Sequence, residues 1–372
     1  MKRLAILSTH PIQYNAPLFR MLHEDDGIEL QVFFSKTWDQ VKFDPDFQRK
    51  VVWDIPVSKG YPHANHDASS KAGKTSLATA IREFRPDALL VYGWNFPGHL
   101  AMMRIFHGKV PIWFRGDSHL LNPLPFWRRA IRRFALSWIY RHVDIAFPVG
   151  KANYKYYLWC GMHPIQLIQA PHAVDNQFWA RDNNEREKKA KNLKNRLNIP
   201  TNAPVIGYSG KLEPLKQVGQ LIEAAIKIHG AHILIAGSGP LEDELKNDYA
   251  QHSQIHFLGF VNQTEMPTFY RMIDVIALMS YSETWGLCIN EAMACGAKCL
   301  VSDRVGCHLD IVTDDKQGTV VPWDRPAKWT NALADLLSTP NRSVCEIQQF
   351  KKTFQIEHFH QALQTALDKF IT

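Results

Sequence analysis

The sequence predicts an α/β protein of two doubly wound units, each a parallel sheet with helices on both faces. Three observations carry this. Short, near-continuous apolar runs recur along the chain with helical stretches between them, which is the pattern of parallel strands buried on both faces. A highly charged stretch, residues 181–204, separates the runs into two sets. The length, 372 residues, suits about two domains of ordinary size.

The first set of runs is 3–9, 28–34, 87–93, 111–116, 144–150 and 164–170. The second is 204–210, 232–239, 255–260, 274–280, 298–303 and 319–323. Each is read as a strand. The charged stretch carries a Leu193/Leu197 trace and ends in Pro and Asn, so it reads as a linker followed by a surface helix, with the domain boundary near 180. Residues 1–180 form the expected N-terminal domain and 181–345 the C-terminal one. Residues 346–372 read as a C-terminal helix that can pack back on the N-terminal domain.

Hydrophobic residues make up 45% of the chain and charged residues 21%, so disorder is excluded. The net charge of +7 favours anionic partners without choosing among them. Basic residues are dispersed and no recognition motif for nucleic acid appears. Cys160, Cys288, Cys295, Cys299, Cys307 and Cys345 include no C-x-x-C pair and read as reduced, mostly buried small hydrophobes. No run approaches the roughly 18 apolar residues of a spanning helix. A cytoplasmic protein is expected, or one held at the cytoplasmic face of a membrane.

In open parallel sheets, ligands bind beyond the carboxyl ends of the strands. In "YSGKLEPLKQ" (208–217), Gly210 ends a strand and Lys211 and Lys216 follow. Two ammonium groups there can hold a diphosphate; two solvated lysines are the plainer alternative. "ILIAGSGPLEDEL" (233–245) reads as strand, Gly237-x-Gly239, then a helix with Pro240 in its first turn. "SETWGLCINEAMACG" (282–296) follows a strand ending at Ser280, and a helix is expected from about Gly286. Its free amides suit an anion. Glu283 then precedes the amide end, where it can complement the dipole. Glu291, flanked by Ile289, Ala292 and Met293, needs a polar partner inside the fold, and ribose hydroxyls supply one. No Asp-x-Asp pair at a strand end calls for a metal.

With these motifs in order, residues 170–325 resemble the retaining family 4 glycosyltransferases of the GT-B fold. The carriers are "GKLEPLK", "LIAGSGPLEDEL", "HFLGFVNQTEMPTFYRMIDVIALMS" and "ETWGLCINEAMACGAKCLVSDRVG". The resemblance implies two Rossmann-like domains facing across an interdomain cleft. It also implies transfer of a sugar from a nucleotide-diphosphate donor, UDP- or GDP-linked, to a hydroxyl. It gives Glu291 the donor ribose, Glu283 the donor sugar, and Lys211 and Lys216 the diphosphate. The base meets backbone from Gly259 to Val261, and Gly210, Gly237, Trp285, Gly286 and Leu287 complete the donor-binding set. No further cofactor and no metal are implied. The chain departs from the family pattern at Thr284-Trp285, at Lys211 in place of the more frequent arginine, at Lys298 in place of proline and at Cys307 in place of glycine.

The N-terminal half follows the pattern less closely. His10, Gln13, Tyr14 and Asn15 follow the first strand and form the expected acceptor side. His119, in "FRGDSHLLNP", takes the place of a family histidine near the donor sugar; a structural histidine is the plainer reading. In "APHAVDNQFW" (170–179), Asp175 and Phe178 are the retained parts of an interdomain segment. Residues 125–143 form a basic amphipathic helix with Trp127, Ile131, Phe134 and Trp138 on one face and Arg128, Arg129, Arg132 and Arg133 on another. The reading favours packing of its aromatic face on its own domain; contact with acidic lipid is the alternative. "ASSKAGKT" (68–75) mimics a phosphate-binding loop but is rejected, because the residues before it are not expected to form a strand.

The expected function is thus retaining, metal-independent sugar transfer to a glycan or lipid-linked acceptor, in polysaccharide or lipid-linked glycan synthesis. A nucleotide-sugar epimerase of the same fold and a non-catalytic nucleotide- or glycan-binding homologue stay open.

Overall fold

The computed structural model describes residues 1–36, 42–44, 49–179, 181, 184–313 and 317–371. The chain forms two compact units. The first comprises residues 1–40, 55–172 and 356–372, and the second 41–54 and 173–355. The chain therefore passes between units at 172/173, whereas residue 180 of the expected boundary lies outside the described residues.

The first unit holds the strands β1 (Lys2–Ser8) and β2 (Ile28–Phe34). After β3 (Lys42–Asp44) and β4 (Arg49–Val51), an antiparallel pair in the second unit, come β5 (His63–Asn65), β6 (Ala88–Tyr92), β7 (Ile112–Arg115) and β8 (Ile145–Ala146). The first sheet runs β5-β2-β1-β6-β7-β8, all parallel. Side chains alternate between its faces. Leu4 and Ile6 enter one core cluster, and Ala5 and Leu7 the other. Burial on both faces is what makes these runs continuously apolar.

The second unit repeats the topology. Its strands are β9 (Val205–Ser209), β10 (His232–Ala236), β11 (Ile255–Gly259), β12 (Val275–Leu278), β13 (Lys298–Ser302) and β14 (Gly318–Val321). They lie in the order β11-β10-β9-β12-β13-β14, all parallel. Each sheet thus has a switch point, β1/β6 in one and β9/β12 in the other, where successive crossovers leave in opposite directions.

Four expectations are corrected. Residues 164–170 are not a strand: Pro164 offers no N–H, Pro164–Gln166 coil into a 3-10 turn, and Leu167 alone bridges to Ala146. The end of the chain is two helices, Val344–Thr353 and Glu357–Phe370, falling in different units. Phe359, Leu363 and Leu367 of the last helix pack into the core of the first unit. The segment before "ASSKAGKT" does contain a strand, β5, paired to β2. That strand is a partly exposed edge, and Ser70 Oγ accepts from the Gly73 amide at 3.0 Å to cap the helix Lys71–Phe84.

The fourth concerns the basic helix, Phe126–Tyr140. Of its aromatic face, Trp138 packs on its own domain, against His142 and beneath Arg104, and the rest does not. Leu136, Ile139 and Tyr140 make its buried contacts, while Trp127, Ile131 and Phe134 are exposed. Each of the first ten residues of the helix is exposed.

Candidate functional site

At the switch point of the second sheet, the loops after β9 and β12 emerge side by side, flanked by those after β10 and β11. Backbone hydrogen bonds lock them together. Gly210 N–H donates to Ala236 O at 3.0 Å, Leu212 N–H to Ser238 O at 2.9 Å, and Gly237 N–H to Gly259 O at 2.8 Å. A Cβ on Gly237 would lie 1.8 Å from Gly210 O. The Gly-x-Gly pattern is therefore required by the close passage of two loops, whatever binds above them. The following helix begins at Glu242, so Pro240 lies before it rather than in its first turn.

Lys216 ends a 3-10 turn, Pro214–Lys216. Tyr281 N–H donates to Leu215 O at 3.0 Å and draws that turn against the segment after β12. As a result the Lys216 ammonium forms an ion pair with the Glu283 carboxylate, both largely covered. Gly306 N–H donates to Glu283 O at 2.9 Å and pins the backbone there. Lys211 is partly buried, and its carbonyl accepts from the Tyr208 hydroxyl at 2.7 Å.

Gly286 caps the helix Leu287–Ala294 in the left-handed region, φ +96°. A Cβ there would approach Leu278 Cδ2 to 2.8 Å. A glycine cap brings no side-chain oxygen to the first turn; the Ile289 amide is taken by Gly286 O at 2.9 Å, and the amides of Leu287 and Cys288 are the ones that suit an anion. Glu291 lies one turn inside, 3% exposed. The Tyr270 hydroxyl donates to its Oε2 at 2.6 Å and lies 3.3 Å from Ser209 Oγ. Tyr270 and Ser209 were not singled out in the sequence, since neither belongs to a local motif around Glu291. Cys288 sits among these groups. Burial and then Glu291 and Glu283 push its thiol far above the ordinary range, and Lys216 acts in the opposite sense.

Trp285 is buried, and its Nε1 donates to Asn290 Oδ1 at 2.8 Å. Gly259 has φ +65° and open space beside it. Val261 lies in the loop that follows, partly buried. That loop is met by an unforeseen neighbour, the end of the excursion 41–54. Asn262 Nδ2 donates to Val52 O at 2.7 Å, and the Trp53 and Phe260 rings lie 6.1 Å apart. Lys298 is buried, with its ammonium donating to Thr339 O at 2.9 Å beyond a helix end. Its departure from proline thus has a structural occupation.

In the first unit, His10 follows β1 with its Nδ1 2.9 Å from Thr9 Oγ1. Gln13, Tyr14 and Asn15 form the turn into the helix Ala16–His23, with Asn15 at its cap position. His119 follows β7, and its Nδ1 accepts from the Leu121 amide at 3.2 Å. All lie beyond strand carboxyl ends. Close to them the structure adds His99, fully buried. Its Nδ1 lies 2.9 Å from Gly93 O and its Nε2 2.7 Å from Ser35 Oγ. Nδ1 faces carbonyl oxygens and therefore donates, and burial lowers the pKa of the ring. Asp175 Oδ1 accepts from the Gln177 and Phe178 amides, both at 3.1 Å, and so caps the short helix Asn176–Trp179.

Among the described residues, no group of three or more His, Cys, Asp or Glu side chains could hold a metal ion. All six cysteines are free.

Residues 189–352 match the family model described as glycosyl transferases group 1. Curated relatives include the D-inositol 3-phosphate glycosyltransferases of Mycobacterium tuberculosis and Mycobacterium bovis. Each is 32% identical over 149 residues, 38% of this chain and 31% of the relative. The match thus spans about a third of those proteins. Among solved structures, Anabaena HepE in complex with UDP and glucose aligns with a TM-score of 0.72 at 15% identity, covering 100% of both chains. Sucrose-phosphate synthase from Thermosynechococcus elongatus aligns with a TM-score of 0.73 at 18% identity, covering 98% of both. These likenesses show the fold: two Rossmann-like, parallel-sheet halves of the GT-B type.

Proposed function

We propose that the chain is a nucleotide-sugar glycosyltransferase, moving a sugar from a UDP- or GDP-linked donor to a hydroxyl of a glycan or lipid-linked acceptor. The carrying observation is the convergence at the β9/β12 switch point of the Lys216–Glu283 ion pair, the open amide end of the helix Leu287–Ala294 and the buried Glu291. Each suits a different part of one extended ligand. That HepE binds UDP and glucose supports the donor class.

In this reading Glu291, steadied by Tyr270, accepts from the ribose hydroxyls. The diphosphate lies against the first-turn amides of Leu287 and Cys288 and the ammonium groups of Lys211 and Lys216. Lys216 has three N–H donors, so it can serve Glu283 and a phosphate oxygen together. The bond from the anomeric carbon to the phosphate oxygen breaks, and the bond to the acceptor oxygen forms on the same face. The acceptor proton passes to the departing phosphate. The lysines and amides stabilise the charge that grows there, and with them the step proceeds without a divalent cation. Glu283 faces the donor sugar, His119 hydrogen-bonds a hydroxyl of that sugar, and His10, Gln13, Tyr14 and Asn15 form the acceptor side. The solvent-open basic helix supports a working place at the cytoplasmic face of a membrane, in polysaccharide or lipid-linked glycan synthesis.

Calorimetry with UDP and GDP tests the donor site. Glu291→Ala is expected to weaken the cognate nucleotide about 30-fold, the loss of about 2 kcal/mol of hydrogen bonding to a charged group. Unchanged affinity for both nucleotides rejects the assignment.

A further inference from the structure

The helix Phe126–Tyr140 carries features that disfavour it in isolation. Arg128 and Arg132, like Arg129 and Arg133, are like charges one turn apart, which repel on a helix surface. Arg128 and Arg129 also stand in its first turn, where the macrodipole is already positive, and Pro125 offers no capping side chain. No acidic residue occurs between Asp117 and Asp144. Each of these costs is relieved by an anionic surface.

The other side of the helix is unlike a solvent face. Phe126 is 87% exposed, Trp127 59%, Ile131 64%, Phe134 79% and Trp138 39%. At 3.6 residues per turn, the last four fall within an arc of about 60°. Guanidinium groups edge this arc. Arg128 stands over the Trp127 ring at 4.9 Å, and Arg104, from the helix Pro97–Phe106, over the Trp138 ring at 4.4 Å. Exposed tryptophan and phenylalanine rimmed by arginine is the composition of a helix lying in a membrane interface. An acidic protein partner would leave the aromatic arc uncovered, and an apolar one would strand the arginines.

Along one seam between the two arcs runs a groove of about 600 Å³, lined by Phe126, Arg129, Ala130, Arg133, Phe134, Ser137 and Trp159. Arg133 Nε donates to Trp159 O at 3.1 Å, which fixes the guanidinium and leaves its terminal nitrogens for another acceptor. The Arg129 guanidinium lies 5.8 Å from the Trp159 ring centre. Two cationic forks beside three aromatic rings form a site for a phosphate joined to hydrocarbon.

Resting on the membrane-surface reading above, we infer that this groove is a binding site for an anionic phospholipid of a bilayer. Arg129 and Arg133 hold the phosphate, Phe126, Phe134 and Trp159 flank the first methylenes, and Trp127, Ile131 and Trp138 bed in the interface. The enzyme is then drawn to anionic bilayers by a specific clamp as well as by its net charge.

The test is co-sedimentation of the full chain with vesicles of phosphatidylcholine, and of phosphatidylcholine mixed with phosphatidylglycerol. Binding is expected to the anionic vesicles only, and to weaken with salt. Arg129→Gln with Arg133→Gln is expected to lower partitioning about 25-fold, about fivefold for each arginine. Lys188→Gln with Lys191→Gln removes the same charge from an exposed helix of the second unit and is expected to change partitioning less than about twofold. Equal losses in the two double variants overturn the groove site and leave the membrane-surface reading standing. No binding to either vesicle overturns both. UDP affinity, measured alongside, reports separately on the donor site and is expected to be unchanged in both variants.

Discussion

Tyr270→Phe isolates the interaction that fixes Glu291. The ring is fully buried against Trp179 and Phe269, at centroid distances of 5.7 and 5.2 Å. The substitution keeps that packing and removes one oxygen, the donor 2.6 Å from Glu291 Oε2. Glu291 is itself 3% exposed, so water does not replace the lost donor freely. A hydrogen bond to a charged group contributes about 1.5–3 kcal/mol, and the phenylalanine leaves no cavity to add to it. The expected cost is about 2 kcal/mol, which lowers the melting temperature by about 4–8 °C for a unit of about 200 residues. A carboxylate no longer held toward the end of β9 should also bind UDP about tenfold more weakly, a smaller loss than in Glu291→Ala. Differential scanning fluorimetry and calorimetry read the two effects. A variant that melts within about 1 °C of the parent and binds UDP equally well shows that the hydroxyl does not hold the carboxylate.

Two more outcomes follow from the geometry. Lys216→Ala removes a charge donor at the leaving group and frees Glu283 from its ion pair; single-turnover transfer should slow by about 10²–10³ while UDP affinity changes far less. His99 is held neutral by burial, with its pKa lowered from 6.5. The unfolded chain then binds more protons below pH 6.5, so this contribution to stability is complete above that pH and lost as pH falls beneath it, by at most about 1.4 kcal/mol per pH unit. Urea midpoints taken between about pH 7 and about pH 5 should fall, and should fall less steeply in His99→Gln; parallel slopes would reject the assignment.

Much of the fold was legible because burial on both faces of a parallel sheet writes itself as short apolar runs. Residues 164–170 look like such a run but open with Pro164 in a 3-10 turn. β5 was hidden for the opposite reason, since an edge strand reading His-Ala-Asn carries no apolar signature. The parts of the candidate site that lie close in sequence, Glu283, Gly286 and Glu291, could be grouped by spacing. Tyr270 could not, because its partnership with Glu291 arises where a helix after β11 packs against one after β12. The helix Phe126–Tyr140 shows a further limit. Periodicity separates an aromatic arc from a basic one, but it is blind to which arc the rest of the protein covers.

The last helix, Glu357–Phe370, belongs to the first unit although 183 residues of the second, 173–355, precede it. Its Phe359 ring lies 5.4 Å from Phe147, its His360 Nε2 lies 2.8 Å from Asp25 Oδ2, and its Leu363 and Leu367 are covered by the sheet they close. A nascent chain therefore leaves the ribosome with its opening unit wanting one slat, while the later unit already has all its residues. The earlier-made half completes itself last, and a fragment ending at residue 172 would need that helix restored by fusion to hide its bare flank.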